Sequence, residues 1–278
     1  MWKWMMVSVL FFSLINDEPT GIEKINLKLS EDEIAFTFFD LVDGESTLIL
    51  DSEGNSILIN TGGAKSEEEL EHYLDTYNVK SIDLLIITSD RDEYIGNTSW
   101  LFTNIEIGSI ILPSSLERTW NDTTLPVQFW KKEEKMELFN GVTVSVLTDS
   151  ISDHIGMDLL LQFGRNDLLY MTSANKEIEQ QLLKKYALKN VHVLKVGDFG
   201  SEQGTHGKFL KETDPQVAII FKKGSTSPDT GVLERLQDTW IDIYQTKQVG
   251  NVTVKLTKTN YQVFTIPIRS TNMLSKSR

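Results

Sequence analysis

Twice along this chain a group of short β-prone runs is followed by amphipathic helical stretches, and that double alternation constrains the fold more than any other feature. IAFTFFDL (34–41), STLILD (46–51) and NSILINTGG (55–63) are β-rich runs divided by DGE and SEGN turns. SEEELEHYLDTY (66–77) then places Leu70, Tyr73 and Leu74 at helical spacing, with Ser66 and Glu69 spaced as a capping box. SIDLLIIT (81–88) reads as a buried strand. The second half repeats the order. VTVSVL (142–147), MDLLLQF (157–163) and DLLYMT (167–172) are strands, NKEIEQQLLKKYA (175–187) is an amphipathic helix, and VHVLKV (191–196) and VAIIF (217–221) are strands. HGKFLKE (206–212) and GVLERLQ (231–237) are helices, and WIDIYQT, VTVKLT and YQVFTI close the chain as strands. Two strand-rich halves with helices after each predict an α/β fold of four layers, an αββα sandwich with two sheets face to face and helices outside. At 278 residues and 40% apolar content the chain can bury such a core, and no low-complexity tract divides it, so residues 31–270 read as one domain.

The N-terminus reads differently. MWKWMMVSVLFFSLINDEP holds one lysine and then an apolar stretch from Trp4 to Ile15, which is long enough for the core of an export signal and short for a membrane-spanning helix. It lacks a small-x-small cleavage site. The expectation is an extracytoplasmic protein, secreted or anchored to the membrane by residues 1–20, followed by a linker at 21–30 and a polar tail at 271–278. There are no cysteines, which excludes disulfides, thiol catalysis and a cysteine-ligated zinc. A formal charge of -13 with no basic stripe argues against nucleic acid, leaving an unknown protein or small molecule as partner and the membrane only through the N-terminal segment. Trp100, Trp120, Phe129 and Trp130 would mark a protein-docking face if exposed, and core otherwise.

At FFDLVDGESTLILDSEGNSILINTGG the sequence resembles the opening of the metallo-β-lactamase fold, and most of all the C-terminal hydrolase-like domain of the ComEC competence-channel family. That pattern runs Phe-Ile-Asp-Val-Gly-Gln-Gly-Asp-Ser, then Ile-Leu-Ile-Asp-Thr-Gly-Gly. Phe38, Asp40, Gly44, Ser46, Thr61, Gly62 and Gly63 keep it, whereas Val42, Asp43, Glu45 and Asn60 depart from it. The resemblance spans about residues 33–268.

The resemblance implies a set of metal-ligand positions, and this chain has replaced them. The family's Thr-His-x-His-x-Asp-His-Ile-Gly loop falls on Thr88 to Gly96, with Ser89 and Arg91 at the leading histidines, Glu93 at the aspartate and Tyr94 at the last histidine. Thr-Gly-Asp-Ala falls on MTSA (171–174), which puts Ser173 at the bridging aspartate. His-His-Gly-Ser falls on DFGS (198–201), with Asp198 and Phe199 at the histidines, and a His-Pro-His-Pro pattern falls on SPDTGVLERL (227–236), leaving Ser227 and Asp229. The frame residues Ile95, Gly96, Ala174, Gly200, Ser201, Leu233, Arg235 and Leu236 stay in register.

Two-zinc hydrolysis needs neutral imidazoles and a bridging carboxylate to hold cations that lower the pKa of a bound water to near neutrality. Serines are poor zinc ligands, and Arg91 would repel a cation about 4 Å away by about 4 kcal/mol at an effective dielectric of about 20. Zinc is therefore not expected and no cofactor is predicted. The reading is a non-catalytic binding or scaffolding pseudoenzyme, whose cleft is formed by the replaced positions Ser89, Arg91, Glu93, Tyr94, Ser173, Asp198 and Asp229. Arg91 would stand where the metal stands elsewhere and pair with the carboxylates. The alternative is a phosphodiesterase-type or esterase-type hydrolase using Mg²⁺, Mn²⁺ or Ca²⁺ on the oxygen donors Asp90, Asp92, Glu93, Asp198 and Asp229. His72, His192 and His206 lie on separate elements, His154 precedes a strand near the site, and Ser201 with His206 lacks a GxSxG elbow.

Overall fold

Side chains covered on every side need apolar runs, and the computed structural model places the most continuous of these at the centre of two sheets. It describes residues 24–120, 125–139, 141–150, 156–189 and 191–267. In chain order the first elements are β1 (Ile34–Phe38), β2 (Thr47–Asp51), β3 (Ser56–Ile59), α1 (Glu67–Thr76), β4 (Ser81–Ile86), α2 (Asp92–Ile95), α3 (Thr98–Asn104), β5 (Glu106–Pro113) and β6 (Val127–Trp130). Next come β7 (Lys135–Glu137), β8 (Val142–Val146), β9 (Leu159–Phe163), β10 (Asn166–Tyr170), α4 (Lys176–Lys185), β11 (Val193–Lys195), α5 (Gly207–Thr213), β12 (Val217–Ile220), α6 (Thr230–Asp238) and β13 (Asp242–Gln245). The chain closes with α7 (Thr246–Val249), β14 (Asn251–Leu256) and β15 (Tyr261–Ile266).

The first sheet runs β15-β14-β1-β2-β3-β4-β5-β6 and the second β13-β12-β11-β10-β9-β8-β7. In both, antiparallel pairing gives way to parallel pairing, at β3–β4 in the first and at β10–β11 in the second. Strand chemistry follows position. β3 and β12 are buried at every residue, as parallel strands covered on both faces must be, while β8 and β9 alternate buried and half-buried positions. Phe36, Phe38, Ile57, Ile86, Val144, Leu161, Tyr170 and Ile219 belong to a core between the sheets. A second core packs Leu70 and Leu74 of α1 and Leu101 of α3 against Leu48, Leu58 and Leu85. A third packs Leu182, Phe209, Leu210, Val232 and Leu236 against Leu169, Leu194 and Ala218. Three cores between four layers make the αββα sandwich.

Several local expectations change in the folded chain. The three closing strands divide between the sheets: β13 is the edge of the second, whereas β14 crosses back to pair with β1, and β15 forms the outer edge of the first. The capping box at α1 does not form. Ser66 stands at the N-cap without a side-chain cap bond, and its hydroxyl instead donates to Asp43 O at 2.7 Å and accepts from Asp43 N at 2.8 Å. The described part of the segment read as a linker is docked. Ile25 N donates to Thr76 O at 2.9 Å, and Ile25 and Leu27 pack against the second core. Trp130 is buried between the sheets, and Trp100, Trp120 and Phe129 pack against the second core. The export or anchor segment at 1–20, the tail at 271–278 and His154 lie outside the described residues. Among the described residues no helix is long and apolar enough to cross a membrane.

Candidate functional site

The loop after β4 carries Ser89, Arg91, Glu93 and Tyr94, and its backbone course is held by close glycine contacts. At Gly44, with φ +88°, a Cβ would lie 2.2 Å from Glu93 O, and at Gly96 it would lie 2.2 Å from Ala64 N. Only glycine lets these segments approach so closely. Glu45 N donates to Glu93 O at 2.9 Å and Thr61 N to Tyr94 O at 2.7 Å, so the 43–46 turn and the 60–63 turn both bind the backbone of α2.

Arg91 lies just before α2, with its side chain reaching across to the second sheet. Its Nη2 donates to Asp198 Oδ1 at 2.6 Å and to Tyr94 Oη at 2.7 Å, and the guanidinium carbon lies 4.8 Å from the Tyr94 ring centroid. Burial works against the charge, but Tyr94 and Asp198 outweigh it and hold the Arg91 pKa above its ordinary value. Tyr94 is fully buried and packs on Phe199 at 5.5 Å between ring centroids, and burial keeps its phenol neutral. Asp198 and Phe199 have φ of 39° and 57°, followed by Gly200 at 77°, three successive residues in the left-handed region. Two non-glycine residues held there are strained, and surrounding contacts must over-determine them. The Arg91 bond to Asp198 is one such contact.

Beneath this pair lies a second, fully buried one. Glu45, from the turn before β2, and Lys195, at the end of β11, form an ion pair with neither side chain exposed. Asn60 Nδ2 donates to Glu45 Oε1 at 2.8 Å and Tyr170 Oη donates to the same oxygen at 3.2 Å. Lys195 Nζ donates to Met171 O at 2.9 Å and faces the Tyr170, Phe221 and Tyr94 rings at 4.7, 5.6 and 5.8 Å. Burial pushes the Glu45 carboxyl up and the Lys195 ammonium down, each opposed by the other's charge. A buried charge pair of this kind persists only with its remaining hydrogen bonds satisfied. Asn60 extends the network: its Nδ2 also donates to Thr88 Oγ1 at 2.9 Å, and its Oδ1 accepts from Thr88 N at 2.8 Å.

The other predicted positions have separate tasks. Glu93 pairs with Lys223 at 2.6 Å rather than bonding Arg91; burial would raise its pKa, but Lys223 and Arg91 together hold it low. Ser89 is buried and accepts from Arg91 N at 3.4 Å. The Ser173 hydroxyl accepts from Gly156 N and donates to Gly156 O, both at 3.1 Å, and its backbone N donates to the buried Asp158 at 2.8 Å. Asp229 caps α6, with Oδ1 accepting from Val232 N at 3.1 Å. Asp198, Ser227, Asp229, Ser201, Glu202 and Lys223 line a cavity of about 320 Å³, so the structure brings Asp198 and Asp229 to one cleft. Asp90 and Asp92 are exposed, with Asp92 Oδ2 accepting from Ala64 N at 3.3 Å. His206 Nδ1 meets Glu179 Oε2 at 2.9 Å, and His192 Nδ1 accepts from Asp167 N at 3.2 Å.

This donor set does not fit the metals that the fold implies. At the positions the resemblance implies stand two serines and a neutral phenol, and of the carboxylates Asp198 is bonded to Arg91, Glu93 is paired with Lys223 and Asp229 caps α6. Among the described residues no group of three or more His, Cys, Asp or Glu side chains is arranged to hold an ion. Sequence reasoning noted Glu45 only as a departure from the pattern and passed over Lys195. The signal was there: a lysine in the apolar run VHVLKV has no cheap way to be inward-facing without a buried acid.

No family model matches the chain. It is 22% identical over 256 residues to ComE operon protein 3 of Bacillus subtilis (strain 168), a match covering 80% of this chain and 33% of that protein, so the chain spans about a third of that relative's length. Among solved structures it is similar to the CmlA beta-hydroxylase E377D mutant, with a TM-score of 0.57 and 13% identity, covering 80% of this chain and 54% of the other. The metallo-beta-lactamase fold protein YhfI from Bacillus subtilis matches with a TM-score of 0.56 and 12% identity, covering 76% and 95%. Igni18, a metallo hydrolase from Ignicoccus hospitalis KIN4/I, matches with a TM-score of 0.51 and 14% identity, covering 80% and 98%. With two sheets, two outer helical layers and these neighbours, the chain has the metallo-β-lactamase fold and is ComEC-like in sequence.

Proposed function

We propose that this protein is an exported or membrane-tethered pseudoenzyme on a ComEC-like metallo-β-lactamase fold, acting by binding or scaffolding and not by metal-assisted hydrolysis. The observation that carries the reading is Arg91, whose guanidinium bonds Asp198 and Tyr94, residues at two of the histidine positions of the family pattern. A fixed cation among the ligand positions repels a metal ion and uses the carboxylate that would have bound it. The cleft of about 320 Å³ beside Asp198 is the place for a small molecule or a partner's side chain. Export rests on the apolar stretch from Trp4 to Ile15. Fold alone does not assign an activity, and the hydrolase named among the structural neighbours supplies only the architecture.

The test is elemental analysis of the purified chain after expression with zinc, manganese, magnesium and calcium supplied. Less than about a tenth of an equivalent of any of them is expected with the metals kept in the purification buffers and free ion removed only at the last step, since serine hydroxyls and a carboxylate bonded to a guanidinium hold none of these ions tightly. One or two retained equivalents, lost on replacing Glu93, Asp198 and Asp229, would sink the reading and establish an oxygen-ligand metallohydrolase site instead.

A further inference from the structure

The strands give the sandwich two distinct ends, and the Arg91 cleft lies at one of them. β4 ends at Ile86 and leads to Arg91, β11 ends at Lys195 and leads to Asp198, and β12 ends at Ile220 and leads on to Asp229. The opposite end holds the β2–β3 turn and the last turn of α1. Lys24 is docked there: it pairs with Asp75, Ile25 N donates to Thr76 O at 2.9 Å, and Lys24 lines a cavity of about 690 Å³ together with Ser52, Gly54 and Asn78.

Trp240 shares that end. Ile34 pairs with both Asp51 and Leu256, so the β2–β3 and β14–β15 turns lie side by side. Tyr261, at the second of these turns, donates through its hydroxyl to Gln216 Oε1 at 2.7 Å, and Gln216 O accepts from Asp242 N at 3.1 Å, two residues after Trp240. Trp240 is 95% exposed with a φ of 59°. Among the described residues it is the one large apolar side chain left to solvent, and a bulky residue held in the left-handed region is strained. An indole so placed is stabilised at a lipid–water boundary, where the ring leaves water while the N–H stays hydrated.

Chain length limits how the domain can sit on a membrane entered by residues 1–20. Residues 16–23 join the apolar stretch to Lys24, and their reach is at most about 30 Å. β5 alone, with eight residues, spans about 26 Å, and loops extend beyond both of its ends. Bringing the Arg91 cleft onto the bilayer would use that whole reach in running back along the domain.

We propose that the end of the sandwich carrying Lys24, the β2–β3 turn and Trp240 is the face this protein turns to the lipid bilayer, so that the Arg91 cleft opens away from the membrane. The inference rests on the membrane-tethered form of the reading above. It makes the occupant of the cleft a molecule of the aqueous phase and not a lipid.

The chain has no cysteine, so a single introduced thiol reports one position. The full chain is reconstituted in phosphatidylcholine vesicles carrying a head-group energy acceptor, with a donor dye on Glu53→Cys in the β2–β3 turn or on Gln203→Cys beside the cleft, both exposed positions. Energy transfer from the Glu53 position should be at least about threefold stronger, since the length of the strands sets the two labels about 25 Å or more apart. Adding Trp240→Ala should bring the two transfers closer together. Equal transfer, or stronger transfer from the Gln203 position, in a chain that sediments with the vesicles overturns the orientation and leaves the tether standing. A chain that stays in the supernatant refutes the tether itself and the proposal with it. A transfer ratio unchanged by Trp240→Ala overturns the lipid contact of Trp240 and assigns that side chain to a protein partner.

Discussion

Removing the Lys195 ammonium would leave the Glu45 carboxylate fully buried, with only Asn60 and Tyr170 to answer it. Lys195→Met should therefore cost about 3–5 kcal/mol in urea unfolding, the penalty for an unpaired buried charge and not the net worth of the pair. Replacing both partners with apolar residues removes that penalty, so Glu45→Leu with Lys195→Met should recover most of the loss. A double variant no better than Lys195→Met would show that the two charges do not act as a unit. Asp40 behaves differently. One of its oxygens is buried without a hydrogen-bond partner, and burial, eased by Lys222 and reinforced by Glu69, raises its pKa to about 6. A carboxyl raised in the folded state favours folding while protonated in both states; that contribution is full below about pH 4 and is lost as pH rises to about 6. Asp40→Asn should flatten the stability curve between pH 4 and 6 and raise stability at pH 7.5 by on the order of 1 kcal/mol, allowing for the screening of a partly exposed group. Unfolding midpoints across that pH range, parent against variant, decide it.

The elements that carry the site are short and depend on caps and turns more than on propensity. Asp229, which the resemblance sets at a ligand position, bonds Val232 N through its carboxylate and starts α6. Asp229→Ala should cost about 1 kcal/mol as a lost N-cap, whereas Asp229→Ser, which keeps the cap, should cost little. If Asp229→Ser destabilised as much as Asp229→Ala, the carboxylate would have a task beyond capping. α2 is a single turn whose backbone is gripped by the 43–46 and 60–63 turns, and this explains why Gly44, Gly62, Gly63 and Gly96 fit the family pattern although the ligands do not. Gly44 and Gly96 allow close backbone approach, and Gly62 adopts a φ of +74° that other residues rarely take.

At the scale of the whole molecule, the two sheets are tied by charge as well as by their shared apolar core. Arg91 to Asp198 and Glu45 to Lys195 each run from the first sheet or its loops to the second. If these pairs supply the cohesion, chelation removes nothing that the fold relies on, and the melting temperature with and without EDTA should agree within about 1 °C. A fall of about 5 °C or more on chelation would mean that an ion stabilises the folded state.

Much of the architecture was legible locally. Alternating or continuous apolar runs announced most strands, and helical spacing at Leu70, Tyr73 and Leu74 announced α1, because burial on one face or two imposes a period that any folded partner must respect. The resemblance sets Ser89, Arg91, Tyr94 and Ser173 against ligand positions by residue identity alone, and that reading belongs to the proposal. Pairing across the chain was not legible. Nothing near Ser66 shows that its hydroxyl will serve the Asp43 backbone instead of its own helix, and nothing near β14 shows that it returns to β1. The sequence by itself determined the composition of the layers and which residues stand in the 88–96, 171–174 and 198–201 segments. Only the tertiary structure decided that Arg91 meets Asp198 and that Lys195 meets Glu45, because a charge placed in an apolar run states a debt in hydration free energy without naming the distant group that offsets it.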